Sequence, residues 1–329
     1  MAYFTGVVNS YADLLNAVLT ACVAEGWSLS GSILSKGPAF LQIYSSTAKT
    51  TSEGPGIVVQ GGTGVSGGLL SGASVARPRL GPLGGGPFGG PDPVWPAVYH
   101  IHVLSDPDEV YVVLNFSLSR FYWLAFGVSD NPWIGGSGLW ITANAVRGYS
   151  VGSASANGGY LISDTRGALS GSISSYVGSG PWWANYVWSG AMSDTVARDI
   201  LHCSIDGEGW KGGSVFADTG PQVGSLSALQ AIKPLPTLQP NAWNGEAVLL
   251  PIHVLLGRAS QKCSPVLEHR HARYLRMPNH EPGDIIVLGS DQWKVYPFHM
   301  KNASAPDGAS TSLIDHTGTF GWAIRYDGP

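Results

Sequence analysis

Three apolar segments joined by very short links constrain this chain more than any other feature. Val98-Tyr99-His100-Ile101-His102-Val103-Leu104 alternates along its length. Glu109-Val110-Tyr111-Val112-Val113-Leu114-Asn115-Phe116-Ser117 and Phe121-Tyr122-Trp123-Leu124-Ala125-Phe126-Gly127-Val128 are rich in β-branched and aromatic residues. The links Ser105-Asp106-Pro107-Asp108 and Leu118-Ser119-Arg120 leave no room for a crossover, so the three strands should pair as an antiparallel meander. Both faces of the middle strand are apolar, which predicts burial on two sides.

Residues 10–25 read as a helix. Tyr11, Leu14, Leu15, Val18, Leu19, Cys22 and Val23 recur at spacings of three and four and draw one apolar stripe. Ser10 is a suitable N-cap, Asp13 completes an approximate capping box, and Gly26 supplies the stop. A small hairpin about Gly31 and strands over 39–44 and 56–60 should follow. The expected class is α+β, predominantly antiparallel, with the helix packed on a sheet built from 27–60, 98–128 and 247–328.

Five segments organise the chain: an N-terminal helix with strands (1–60), a Gly/Pro-rich arm or loop (61–96), the meander (97–128), a Gly/Ser/Trp-rich β subdomain (129–240) and a C-terminal β block (241–329). The second contains Gly84-Gly85-Gly86-Pro87-Phe88-Gly89-Gly90-Pro91 and has little from which to make a core. In the last, Ile285-Ile286-Val287-Leu288-Gly289-Ser290-Asp291-Gln292-Trp293-Lys294-Val295-Tyr296 reads as two apolar strands about a Gly-Ser-Asp turn.

Charged residues make up 12% of the 329, where about a quarter is usual, while Gly numbers 45 and Trp 12. Centres of subunit interfaces share this depletion of charge and enrichment in aromatics. A net charge of −4 offers no basic face for nucleic acid, apart from a local patch at His269-Arg270-His271-Ala272-Arg273 with Arg276. Cys22, Cys203 and Cys263 are too far apart for a Cys-x-x-Cys metal site. Neither a signal peptide nor a membrane span is expected, since no segment approaches 18 apolar residues.

Candidate chemistry is sparse. His100 and His102 share a strand face, a spacing used in metal sites, but no third ligand follows by spacing. Gly61-Gly62-Thr63-Gly64-Val65-Ser66-Gly67-Gly68 lacks the Lys and the helix of a phosphate loop. Asp106, Asp108 and Glu109 fit a solvated turn better than a Ca²⁺ loop. Asp194, Asp199, Asp206, Glu208 and Asp218 lie among tryptophans, and Trp182, Trp183 and Trp188 could form an aromatic platform for glycan, yet no carboxylate pair is singled out. No Gly-x-Ser-x-Gly elbow occurs. No catalytic residue, metal or cofactor is expected.

Three groups of residues carry a resemblance. They are Tyr3-Phe4-Thr5-Gly6 with Tyr11-Ala12-Asp13-Leu14 and Glu25-Gly26-Trp27; Tyr99-His100-Ile101-His102-Val103 with Pro107-Asp108-Glu109-Val110-Tyr111; and the Pro282-Gly283-Asp284 to Phe298 block with Gly321-Trp322-Ala323-Ile324-Arg325-Tyr326. Together they resemble a family of virion structural, tail-associated proteins of tailed bacteriophages and prophages. The resemblance implies a non-enzymatic, multi-copy ring component of the tail, baseplate or neck. Such a subunit is made in the host cytoplasm and contacts copies of itself and neighbouring virion proteins, without direct nucleic-acid binding or membrane insertion. Arg273, Arg276, Trp293, Lys294 and Arg325 are the expected assembly residues. A receptor- or glycan-binding tail-tip protein using Trp182, Trp183 and Trp188 is the alternative, and a glycan depolymerase the second.

Overall fold

The computed structural model describes residues 1–48, 54–74, 77–82, 92–118, 120–130, 137–146, 199–202, 211–212, 223–224, 249–258, 262–276, 280–297 and 320–328. The meander forms the middle of a central sheet. Its strands β9 (Ala97–Leu104), β10 (Glu109–Ser117) and β11 (Arg120–Asp130) are flanked by β1 (Ala2–Val8) on one side. β12 (Ser137–Ala143), β14 (Asp199–His202) and β15 (Lys211–Gly212) continue the sheet on the other.

A second sheet runs β13 (Ala145–Val146), β8 (Pro78–Leu80), β5 (Gly56–Gly62), β4 (Ala39–Ser46), β3 (Ile33–Lys36), β2 (Ser28–Ser30). An outer sheet runs β16 (Val223–Gly224), β17 (Leu250–Arg258), β18 (Lys262–Arg276), β21 (Phe320–Arg325), β20 (Asp291–Pro297), β19 (Ile285–Leu288). β6 (Gly64–Ser66) and β7 (Leu69–Ser71) form a separate hairpin. The single helix among the described residues is α1 (Tyr11–Ala24). All pairings between described strands are antiparallel.

The period-2 alternation of the meander explains the layering. Val110, Val112, Leu114 and Phe116 enter one core with Tyr11, Leu14 and Val18 of α1 and Leu34, Leu41, Ile57 and Val59 of the second sheet. Tyr111 points the other way, its ring 5.5 Å from that of Trp322 on β21, and Trp123 lies 5.0 Å from the same indole. The expected single sheet is therefore corrected to three layers, because 109–128 is apolar on both faces and needs a cover on each.

Local signals act as read. The Asp13 N–H donates to Ser10 Oγ at 3.1 Å, and Gly26 stops the helix at φ +84°. Lys36 Nζ donates to the Glu25 carbonyl at 2.9 Å and pairs with Asp108 at 2.7 Å, tying the helix end to the β9–β10 turn. β1 is not legible as a strand in the sequence, since Thr5 and Gly6 weaken its alternation; it forms by pairing with the edge of β9. Of the 61–96 segment, expected as an arm, the described residues build the end of β5, the β6–β7 hairpin and the fully buried β8. Its polyglycine stretch lies outside the described residues, as does almost all of 129–240 beyond β12.

Asn144 joins the central and second sheets. Its Oδ1 accepts the N–H groups of Trp123 at 3.1 Å and Gly81 at 3.4 Å, and its Nδ2 donates to the Gly81 carbonyl at 2.6 Å. Asn144→Ala is expected to lose about 3 kcal/mol, because three buried backbone groups forfeit that partner. Urea unfolding of the two proteins measures it, and a loss under about 0.5 kcal/mol would contradict this role.

Candidate functional site

The chemistry of the described residues concentrates in the seam between the central and outer sheets. β18 carries an offset there: Pro251 of β17 pairs with Arg273 and the next residue, Ile252, with His269. Arg270, His271 and Ala272 thus have no partner on β17, and their backbone groups are met largely by side chains. Glu109 of β10 takes the donors, accepting the Arg270 N–H on Oε1 at 3.0 Å and the His271 N–H on Oε2 at 3.1 Å. Arg273 takes the acceptors, its Nη1 donating to the carbonyls of His269, Arg270 and Ala272 at 2.8, 3.0 and 2.8 Å. An acid from the central sheet and a base from β18 itself hold the bulge, one taking its N–H groups and the other its carbonyls.

Tyr111 Oη donates to Glu109 Oε2 at 2.7 Å and lies 3.2 Å from His269 Nδ1. The His269 ring packs on Trp140, centroids 4.2 Å apart. Glu109 is 0% exposed, and burial raises its pKa to about 7 against the opposing pull of the Tyr111, His271 and Arg270 donors and the Arg273 charge. Opposite it stands Gly127, where a Cβ would lie 2.5 Å from the Asp108 carbonyl oxygen and 2.9 Å from the Trp140 ring. Only glycine lets the backbones approach this closely.

Further along the seam, Tyr3 of β1, His100 and His102 of β9 and Tyr296 of β20 pack together with Tyr326. His102 Nδ1 donates to the Arg325 carbonyl at 3.2 Å, which sets the tautomer and leaves Nε2 to accept from Tyr296 Oη at 3.1 Å. His100 Nδ1 lies 2.6 Å from Tyr3 Oη. Burial lowers the pKa of His102 to about 3 and of His100 to about 4, so both are neutral. His271, against the Ser105 and Pro107 backbone, is lowered to about 4, again mainly by burial. The His100-x-His102 spacing thus serves a hydrogen-bonded seam, and no group of three or more metal-ligating side chains occurs among the described residues.

The expected assembly residues are brought close together but turned largely to internal work. Arg273 also stacks on Trp293, 5.1 Å from the ring centroid, and Trp293 is buried. Lys294 Nζ sits over the Tyr3 and Tyr326 rings at 4.9 and 4.6 Å, and burial lowers its pKa. Arg325 pairs with Asp291 at 2.7 Å. Arg276 is described only by its backbone, which pairs with Phe320. Trp182, Trp183 and Trp188 lie outside the described residues. Sequence reasoning missed Glu109 as a buried group; the available signal was a lone carboxylate heading a strand otherwise apolar on both faces.

Exposed apolar surface gathers instead on β19. Ile285, Val287 and Leu288 are 43%, 62% and 47% exposed. β20 lies over the edge strand β1 through Lys294 and Tyr3, and β19 extends the outer sheet one strand further. Ile285, paired with Lys294, therefore shares its face, as does Val287. Compared with known proteins, the chain matches no family model and no curated protein.

Proposed function

We propose that the chain is a structural subunit of a tailed-bacteriophage particle, a multi-copy component of the tail, baseplate or neck that works through contacts with copies of itself and neighbouring virion proteins. The observation that carries this reading is the β19 edge. It is a terminal strand of the outer sheet among the described residues, and it carries three exposed aliphatic side chains. An edge of this kind recruits another strand or apolar face. The low charge of the chain and the resemblance of its ends to tail-associated proteins support the same reading. The acid and base groups of the seam are committed to backbone and to one another, which favours a structural role over a catalytic one.

Light scattering after size exclusion tests the proposal on the full chain. The wild-type protein is expected to form a concentration-dependent oligomer, and Val287→Lys to weaken that association by about tenfold or more while leaving the monomer folded. A wild-type protein that stays monomeric at high concentration, and is missing from purified virions by mass spectrometry, would defeat it.

A further inference from the structure

The hairpin geometry of β19 fixes where its backbone groups point. Leu288 and Asp291 flank the two-residue Gly289-Ser290 turn, which makes them a hydrogen-bonded pair, and Gly289 takes the positive φ such a turn needs, +62°. At the other end of the strand the Val295 N–H donates to the Asp284 carbonyl at 2.9 Å. Hydrogen-bonded and open pairs alternate along an antiparallel ladder. Asp284, Ile286 and Leu288 therefore turn their N–H and C=O groups toward β20, and Ile285 and Val287 turn theirs away from it. No further strand lies beside β19 among the described residues. From Ile285 to Leu288 the edge has neither the charge nor the proline that usually guards one.

We propose that the same edge of a second copy completes this one: the two β19 strands run antiparallel about a two-fold axis at Ile286 and join two outer sheets into one. The contact rests on the assembly reading above and specifies it. In this register Ile285 faces Val287 of the second copy, and Val287 faces its Ile285. Each of these pairs exchanges two hydrogen bonds, so every outward group of both residues is met. On the face shared with Lys294, the exposed Ile285 and Val287 side chains of both copies meet as cross-strand aliphatic pairs. Charge placement selects the register. Asp284, exposed just before the strand, stands opposite Leu288 of the second copy, and the two Asp284 positions lie about 14 Å apart. An axis at Ile285 would bring these like charges to about 8 Å. An axis at Val287 would set Ile285 against Gly289, whose turn conformation ends the strand. The edge of the central sheet on the same side adds no repulsion, since β1 carries no charged side chain from Ala2 to Val8. A two-fold contact between identical edges also closes on itself, which keeps an unguarded edge from propagating.

Cysteine cross-linking of the full chain with copper–phenanthroline as oxidant tests the register, the wild type giving the background from its own cysteines. Ile286→Cys faces itself across the axis, with Cα atoms about 4.5 Å apart, and is expected to form a covalent dimer. Ile285→Cys and Val287→Cys each lie about 8 Å from their own counterpart, too far for a disulfide, and should stay at background when oxidised alone. A mixture of those two variants should cross-link, because the facing pair is about 5.5 Å apart. A wild type that associates in light scattering, with Ile286→Cys and the mixture both at background, overturns this contact and leaves the assembly reading standing. Cross-linking of Ile285→Cys or Val287→Cys alone overturns the register in the same way. A wild type that stays monomeric at high concentration overturns the contact together with the self-association on which it rests. If Ile286→Cys does not fold, the mixture decides by itself, since Ile285 and Val287 are exposed.

Discussion

Acidifying the protein from about pH 6.5 to about pH 4.5 is expected to remove about 4 kcal/mol of its stability, a large part of what a domain usually has. His102, His100 and His271 are held neutral, with pKa values lowered from 6.5 to about 3, 4 and 4, chiefly by burial. A base whose pKa is depressed in the folded state contributes stability that is fully present above its unfolded value and is lost as pH falls through the folded one. Each of the three therefore loses about 2 kcal/mol across this window, together about 6 kcal/mol. Glu109 has the opposite sign: its pKa is raised from 4.5 to about 7, so its contribution is complete below 4.5 and declines as pH rises through 7. Acidification restores about 2 kcal/mol from that group, which leaves the net loss stated. Urea midpoints measured across the range check it, and a stability that stays level or rises toward pH 4.5 would contradict the buried neutral histidines.

Trp322→Ala should destabilise the protein by about 3–5 kcal/mol, as for other large aromatic truncations in a packed core. The indole is 1% exposed and stands between Tyr111 and Trp123 of the central sheet, while its strand pairs with Tyr274 on one side and Tyr296 on the other. It bridges the outer and central sheets through these two rings, so its loss opens a cavity where the outer sheet is seated. The first core, around α1 and the second sheet, contains none of these residues. The variant should accordingly lose protection first in β17, β18, β20 and β21, with a Trp322→Phe control losing less. Unfolding free energies within about 1 kcal/mol of wild type would show that the sheets are held elsewhere.

Much of the fold was legible before the structure. Alternation in 98–128 and the brevity of its links specify the meander, and its two apolar faces specify a cover on each side. The assembly reading of Arg273, Trp293, Lys294 and Arg325 shows where sequence reasoning stopped. A basic or aromatic residue beside a strand looks like surface until its partners are known. Here the partners are carbonyls of a bulge, a tryptophan face, two tyrosine rings and Asp291.

What the amino-acid order determined by itself is local: the helix from its Ser10 cap to Gly26, the strands of the meander, and the β19–β20 hairpin turning at Gly289, where φ is +62°. Neighbouring residues alone settle these, through spacing, capping and the freedom of glycine at positive φ. What only the tertiary structure decided is which faces meet. Glu109 reaches backbone 161 and 162 residues away, Asn144 reaches 63 residues back, and His102 pairs with Tyr296 across 194. No periodicity records such partners, because each bond depends on two buried groups arriving together only after the layers have packed.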